Sequence, residues 1–350
     1  MRFSCQLLPE HPLGELLDLI AFADELGFDA CYSADEIYHK DMWTLFGAAA
    51  ARTRRIRLGP EVTHVILRDP TMIAQQAATL DELTGGRAEI VYSLGNLAML
   101  EQYHVEWRGT KPLARLREAF HVMRTFLDEG AIDFEGDFYR YTGLFTAARP
   151  VQARLPLKIG AMRGPGSFRL AGEIADGVHV ACAHSEEALR FAADSVREGA
   201  VRGNRVLADD FDFCASILGA IALDGSAARE AARVASAFYI SSMPPELVER
   251  HGIPYDEVRP VVGAFGRGDV DTALGLVPGS VGERLALAGT PEEWVERIRR
   301  DFVPHGYNHI ALGLADPFLV ERWSGRPAEG LPPLHEQLTL VRERVLPELS

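Results

Sequence analysis

The sequence predicts a (β/α)8 barrel, and three observations carry that prediction. Apolar strand-like runs alternate with helices of three- and four-residue apolar spacing along the whole chain, giving eight strand–helix units. Most connections are short, and a compact strand–helix–strand unit makes its two strands parallel. No shift in composition marks a boundary within the 350 residues. We read residues 1–350 as one barrel domain with insertions. An open doubly wound sheet of eight strands is the alternative.

The elements follow in order. Phe3 to Leu7 is the first strand. Pro12-Leu13 opens a helix with Leu16, Leu19, Ile20, Ala23 and Leu26 on its apolar face, stopped by Gly27. Ala30 to Ala34 is the second strand, followed at once by Asp35-Glu36, and Trp43 to Ala51 is the second helix. The central stretch runs from Ile56 to Asn96. In it Ile56, Leu58 and Val62 mark strand three, and Pro70 opens a helix where its missing N–H costs nothing. Ile73, Ala77, Leu80 and Leu83 form one face of that helix, Gly85-Gly86 end it, and Ala88 to Tyr92 is strand four. Thr63-His64 and Gly95-Asn96 thereby fall just past the C-terminal ends of adjacent parallel strands, where α/β folds bind ligands.

A loop over Leu97 to Thr110 leads to a helix from Pro112 to Leu127. Residues 131–156 read as an insertion containing a hairpin around Phe134 to Tyr139. Leu157 to Ala161 is strand five, and Met162 to Ser167 a tight turn into the helix Phe168 to Ala175. Gly177 to Cys182 is strand six, Ser185 to Gly199 a helix, and Phe211 to Leu223 strand seven. The next helix starts near Ser226, whose hydroxyl can cap it. Residues 243–287 form a second insertion. Thr290-Pro291-Glu292-Glu293 combines cap, first-turn proline and acid in one helix start. His309 to Leu314 is strand eight, and Leu334 to Leu346 the closing helix.

Composition narrows the function classes. Apolar residues make up 47% of the chain, enough for a large core, and the formal net charge is −14 with no polybasic run. That argues against a nucleic acid or an anionic membrane as partner, while a local pocket can still hold an anion. Cys5, Cys31, Cys182 and Cys214 are scattered through apolar runs without metal-like spacing, so a reduced, cytoplasmic protein is expected. The N-terminal MRFSCQLLPEH lacks a signal-like apolar core, and no stretch is long and apolar enough to span a bilayer. HExxH, GxSxG, Walker and EF-hand motifs are missing. No metal is expected.

Candidate chemistry gathers at strand ends. Asp35, Glu36 and Trp43 follow strand two; alternation along a strand would turn only one of the two acids to the barrel mouth. Glu61-Val62-Thr63-His64 ends strand three, where His64 can donate a proton near neutral pH. Met162, Arg163, Gly164, Gly166 and Ser167 form a Gly-bearing turn at a helix N-terminus, suited to an anion. His104 and Trp107, on the loop after strand four, are candidate pocket walls. His179 lies inside strand six and reads as a core residue.

At these residues the chain resembles the luciferase-like monooxygenase superfamily of (β/α)8 flavin and deazaflavin enzymes. TLDELTGGRAEIVYSLG is similar to its "TLDELSGGR…LGLG" signature, and VTHVILRDP to its "VTN…TRHP" segment. LKIGAMRGPGSFRLAGEIADGVHV resembles its phosphate segment, and GTPEEWVERIRR its helix near the C-terminus. The branch it resembles uses the 5-deazaflavin coenzyme F420 and includes methylenetetrahydromethanopterin reductase, F420-dependent glucose-6-phosphate dehydrogenase and the phthiodiolone ketoreductases. YHVEWRGTKPLARLREAF and PPELVERHGI look most like the ketoreductases.

The resemblance implies a cis peptide at Glu61–Val62, or one residue earlier, in a bulge that backs the deazaflavin ring. It implies that Asp35 and Thr63 hydrogen-bond the ring, that Leu94-Gly95 line it, and that Arg163, Gly164, Gly166 and Ser167 take its phosphate. The sugar-phosphate dehydrogenases keep a proton-donor His where this chain has Glu36, and a catalytic Glu where it has Asn96. A common Asn is replaced by Met99. Glu36 or His64 is then the expected proton donor. The implied activity is hydride transfer between C5 of F420 and an organic substrate, with reduction of a carbonyl, imine or activated alkene the expected direction. The alternative is an FMN-dependent monooxygenase fed by a partner reductase. Aromatic residues in the two insertions suggest a hydrophobic or bulky small-molecule substrate, and family habit suggests a homodimer.

Overall fold

The computed structural model describes residues 1–107, 109–181 and 184–349. The C-terminal end expected for the sixth barrel strand, at Cys182, lies outside them. The fold is a (β/α)8 barrel. Its strands are β1 (Arg2–Gln6), β2 (Ala30–Ser33), β3 (Arg57–His64), β4 (Ile90–Ser93), β5 (Ala131–Glu135), β6 (Arg140–Phe145), β7 (Leu157–Ala161), β8 (Gly177–Ala181), β9 (Asp212–Ile221), β10 (Leu287–Gly289) and β11 (His309–Leu314). Of these, β5 and β6 form the hairpin of the first insertion, and β10 is a short extra strand that the sequence reading did not anticipate. The second insertion holds four short helices between Pro245 and Leu285. No helix among the described residues is long and apolar enough to cross a membrane.

Contacts divide the chain into two compact units. One comprises Met1–Cys5, Val180–Asp194 and Phe213–Ser350. Within it β9 pairs in parallel with β10 and β11, and β11 with β1. The helix Pro291–Arg297 starts with the expected capping box: Thr290 accepts from Glu293 N–H, and the Glu293 carboxylate accepts from Thr290 N–H. Ser226 does not cap its helix. Asp224 does, accepting from both the N–H and the hydroxyl of Ser226, because a carboxylate two residues upstream reaches the first free N–H.

The other unit comprises Gln6–His179 and Ser195–Asp212, and it contains the candidate site. Strands β2, β3, β4 and β7 pair in parallel in that order. The helix Pro70–Thr84 is capped by Asp69 and closed by Gly85 at φ 69°. Its buried face turns through Ile73, Ala74, Ala77, Ala78 and Leu80, leaving Leu83 exposed rather than in the core. Ala88 makes only an isolated bridge to Leu58, so β4 begins at Ile90. The loop expected over residues 97–110 contains a short helix, Leu97–Gln102.

This unit buries charge as well as apolar surface. Lys158 on β7 bridges the carboxylates of Glu89, at 2.9 Å, and Asp212. Glu89 also accepts from the Tyr32 hydroxyl and, at 2.9 Å, from Arg57 Nε. Burial alone would raise the Glu89 pKa, but Lys158 and Arg57 outweigh it and hold the carboxyl well below the usual range. Burial alone would lower the Lys158 pKa, but Asp212 and Glu89 raise it instead. On β8, His179 Nδ1 lies 2.8 Å from Glu61 Oε1, and Nε2 lies 3.6 Å from Asp212 Oδ2. The network thus runs from beneath the end of β3 to Arg57.

Candidate active site

The end of β3 departs from regular strand. The Glu61–Val62 peptide is cis, and the pairing register with β4 shifts between Glu61 and Thr63. The strand continues through His64, so Thr63 and His64 are its last two residues rather than lying beyond it. Gly160 on β7 accommodates this bulge: a Cβ there would sit 2.4 Å from Val62 Cγ1. Glu61 directs its carboxylate into the buried network, while its carbonyl accepts from Gln6 Nε2 at 3.3 Å.

Asp35 organises the next layer. It is 5% exposed. Oδ2 accepts from Thr63 Oγ1 at 2.7 Å, Arg68 Nε at 2.9 Å and Trp43 Nε1 at 3.2 Å, and Oδ1 accepts from Arg68 Nη2 at 2.8 Å. The Arg68 fork is bidentate, the geometry in which guanidinium and carboxylate bind most strongly. The Asp35 N–H also donates to the carbonyl of Val62 at 3.4 Å, tying β2 to the bulge. Trp43 is therefore turned onto Asp35.

These groups border a cleft of about 500 Å³. Its walls include Asp35, Glu36, His39, His64, Arg68 and Met99. Both acids after β2 reach it, contrary to the alternation expected of a strand. The reason is that β2 ends at Ser33, so Asp35 and Glu36 lie in irregular backbone. His64 is 7% exposed, and its Nδ1 has no hydrogen-bond partner among the described residues. Gly95, at φ 105°, packs against it: a Cβ at Gly95 would fall 2.7 Å from His64 Cβ. A side chain at Gly95 is thus excluded twice, by backbone angle and by space.

The other candidate residues take separate places. Leu94 is partly buried beside Gly95, and Asn96 is exposed where the helix Leu97–Gln102 begins. His104 is exposed at φ 54°, and neither it nor Trp107 is in the cleft wall. From that segment Met99 and Tyr103 supply the lining instead. After β7, Met162 and Arg163 lead into the helix Pro165–Ile174. Gly164 is its cap and offers no side-chain acceptor, Pro165 is at the first position, and the first turn has no acid. The first-turn N–H groups of Gly166 and Ser167 therefore meet no capping side chain and stand at the positive end of the helix dipole.

Sequence reasoning passed over Arg68, His39 and the Lys158 network. Arg68 stood inside the quoted VTHVILRDP segment. Lys158, Glu89 and Asp212 carried a further signal, being charges set within otherwise apolar strands, where each needs a buried partner.

The fold is that of a (β/α)8-barrel enzyme, with the cleft at the C-terminal ends of β2, β3 and β4. The family model described as luciferase-like monooxygenase matches residues 1–309, and the chain belongs to that family. It is 30% identical over 302 residues to 5,10-methylenetetrahydromethanopterin reductase of Archaeoglobus fulgidus, covering 85% of this chain and 89% of the relative. It is 29% identical over 322 residues to F420-dependent glucose-6-phosphate dehydrogenase of Intrasporangium calvum, covering 85% and 88%. The solved structure of the coenzyme F420-dependent tetrahydromethanopterin reductase of Methanopyrus kandleri superposes with a TM-score of 0.89 at 28% identity, covering 100% of this chain and 99% of that one.

Proposed function

We propose that this protein is an F420-dependent oxidoreductase that reduces a carbonyl, imine or activated alkene. The observation that carries the reading is the cleft itself. Two titratable groups, Glu36 and His64, share its wall with a fixed carboxylate–guanidinium pair, on a chain similar along most of its length to F420-dependent enzymes.

The residues present suit a planar, polar ring. Gly95 leaves the space a Cβ would fill beside His64, and the buried His64 Nδ1 awaits a partner. Asp35 and Thr63, with Leu94-Gly95, would hold the ring above Glu61 and Val62. Arg163 and the turn Gly164–Ser167 would take the phosphate, with helix dipole and guanidinium acting together. When bound, coenzyme F420 supplies a hydride from C5 of its deazaflavin. The chain then has to orient the substrate, exclude water and supply a proton, and Glu36 and His64 are its candidates for the last. Asp35 is less suited to that role, because its two oxygens are already engaged by Thr63, Trp43 and the Arg68 fork.

Ile37, Tyr38 and Tyr103 are exposed around the cleft, 66%, 48% and 49% respectively, which supports a hydrophobic or bulky substrate. Tyr139 of the β5–β6 hairpin donates to the Val65 carbonyl at 2.6 Å, and Tyr141 to Asp69, so this insertion is tied to the segment after His64. The test is a titration of the apoprotein with F420 and with FMN, followed by fluorescence. Micromolar binding of F420 is expected. Micromolar binding of FMN with none of F420 would overturn the reading in favour of an oxygen-using flavin enzyme.

A further inference from the structure

We propose that His39 is a proton-relay residue that passes protons from Glu10 to Glu36; the inference rests on the reductase reading above. His39 lies between two carboxylates. Its Nδ1 is 3.6 Å from Glu10 Oε1, and its Nε2 is 4.0 Å from Glu36 Oε2. Glu36 and His39 line the cleft, whereas Glu10, on the loop after β1, is not part of its wall. The His39 side chain is 11% exposed, and its Nδ1 has no hydrogen-bond partner among the described residues. Each gap is slightly longer than a hydrogen bond and too narrow for a bridging water, so a small side-chain movement closes it.

The backbone holds this spacing. Lys40 Nζ donates to the carbonyls of Pro9, Glu10 and His11 at 3.4, 2.9 and 3.1 Å, and the Lys40 N–H donates to Pro9 O at 3.4 Å. The His39 N–H donates to Glu36 O at 3.1 Å. The Lys40 ammonium thus engages main-chain oxygens and fixes the Glu10 backbone beside the imidazole. The remaining charged groups of the cleft are the Asp35–Arg68 pair, Asp41 and His64.

The chemistry needs such a route. Reduction of a C=O or C=N bond places the hydride and its electron pair on carbon and leaves the heteroatom's negative charge to be protonated. Glu36, protonated, gives its proton to form the O–H or N–H bond and becomes a carboxylate. The His39 imidazole, as the tautomer with its hydrogen on Nε2, restores that proton from Nε2 while its Nδ1 takes one from the Glu10 carboxyl, which is replenished from water; a flip of the ring then returns the N–H to the Glu36 side. One solvent proton is consumed per hydride. With both reactants in the cleft, water is displaced from Glu36, and the His39 side remains as the path.

The experiment uses the full chain with F420 and whichever of a panel of ketones and imines the wild type reduces fastest. In H39Q and H39A, F420 affinity read by fluorescence is expected within about twofold of wild type, while kcat falls about tenfold or more, the lower part of the acid–base range. Added imidazole should restore turnover to H39A but not to E36Q. Unchanged kcat in H39Q, or a loss in H39A that imidazole does not repair, overturns the relay and leaves the reductase reading standing. Wild-type protein that binds no F420, or reduces no member of the panel, overturns both.

Discussion

Replacing Lys158 by methionine is expected to destabilise the fold by about 3–5 kcal/mol, because it strands charge that burial makes costly. Lys158 is the cation shared by Glu89 and Asp212, and all three are 3% exposed or less. Methionine fills much the same volume, so the loss is electrostatic rather than a cavity. Glu89 would keep Arg57 and the Tyr32 hydroxyl, whereas Asp212 would lose its direct cation. Urea unfolding of wild type and K158M, compared at equal slope, measures the difference. A change below about 1 kcal/mol, the scale of an exposed pair, would mean that the buried acids are neutralised in another way.

The same pair sets limits in pH. The Glu89 pKa is depressed in the folded state, so its contribution is complete above the ordinary value of 4.5 and is lost as pH falls below it. The Lys158 pKa is raised, so its contribution is complete below 10.5 and is lost as pH rises above it. Between those values this pair should leave the unfolding midpoint flat. The Tm of K158M should depend on acid differently from wild type, since Glu89 loses one of its two cations and the one that lowers its pKa most. Thermal melts from pH 3 to 11 check this, and identical acid limbs would exclude Glu89–Lys158 as their origin.

What the sequence made legible, and what it hid, follows from distance along the chain. The βαβ unit from Ile56 to Asn96 could be read because its signals are local: a proline at the first helical turn, a Gly-Gly stop, apolar spacing in the helix. The cleft's position followed from strand ends alone. The pairing of Asp35 with Arg68 spans 33 residues, and that of Glu61 with His179 spans 118. No periodicity reports such partners, because they meet only when neighbouring parallel strands are brought together. Leu83 shows the opposite failure. It fits the apolar spacing of its helix, yet the face that packs inward is set by small alanines, and Leu83 is left 59% exposed.

Glu36→Gln should lower kcat by about 10²- to 10³-fold while leaving F420 affinity nearly unchanged, as expected for loss of a general acid that does not bind cofactor. Glutamine keeps the shape and polarity of the side chain but has no acidic proton to give. Glu36 is favoured over His64 by its surroundings. The His64 ring is pressed against Gly95, and its buried Nδ1 meets no proton source among the described residues. Glu36 is 23% exposed at the cleft and stands within 4.0 Å of a histidine that itself faces a second carboxylate. A proton spent there can be replaced. His64→Gln is accordingly expected to cost less in kcat than E36Q and more in F420 affinity, since its free nitrogen would lie beside the bound ring. The decisive comparison is the kcat-against-Kd split of the two variants, measured with one substrate at one pH. A collapse of kcat in H64Q with E36Q near wild type would reassign the proton to His64, and Glu36 would then serve only to shape the cleft.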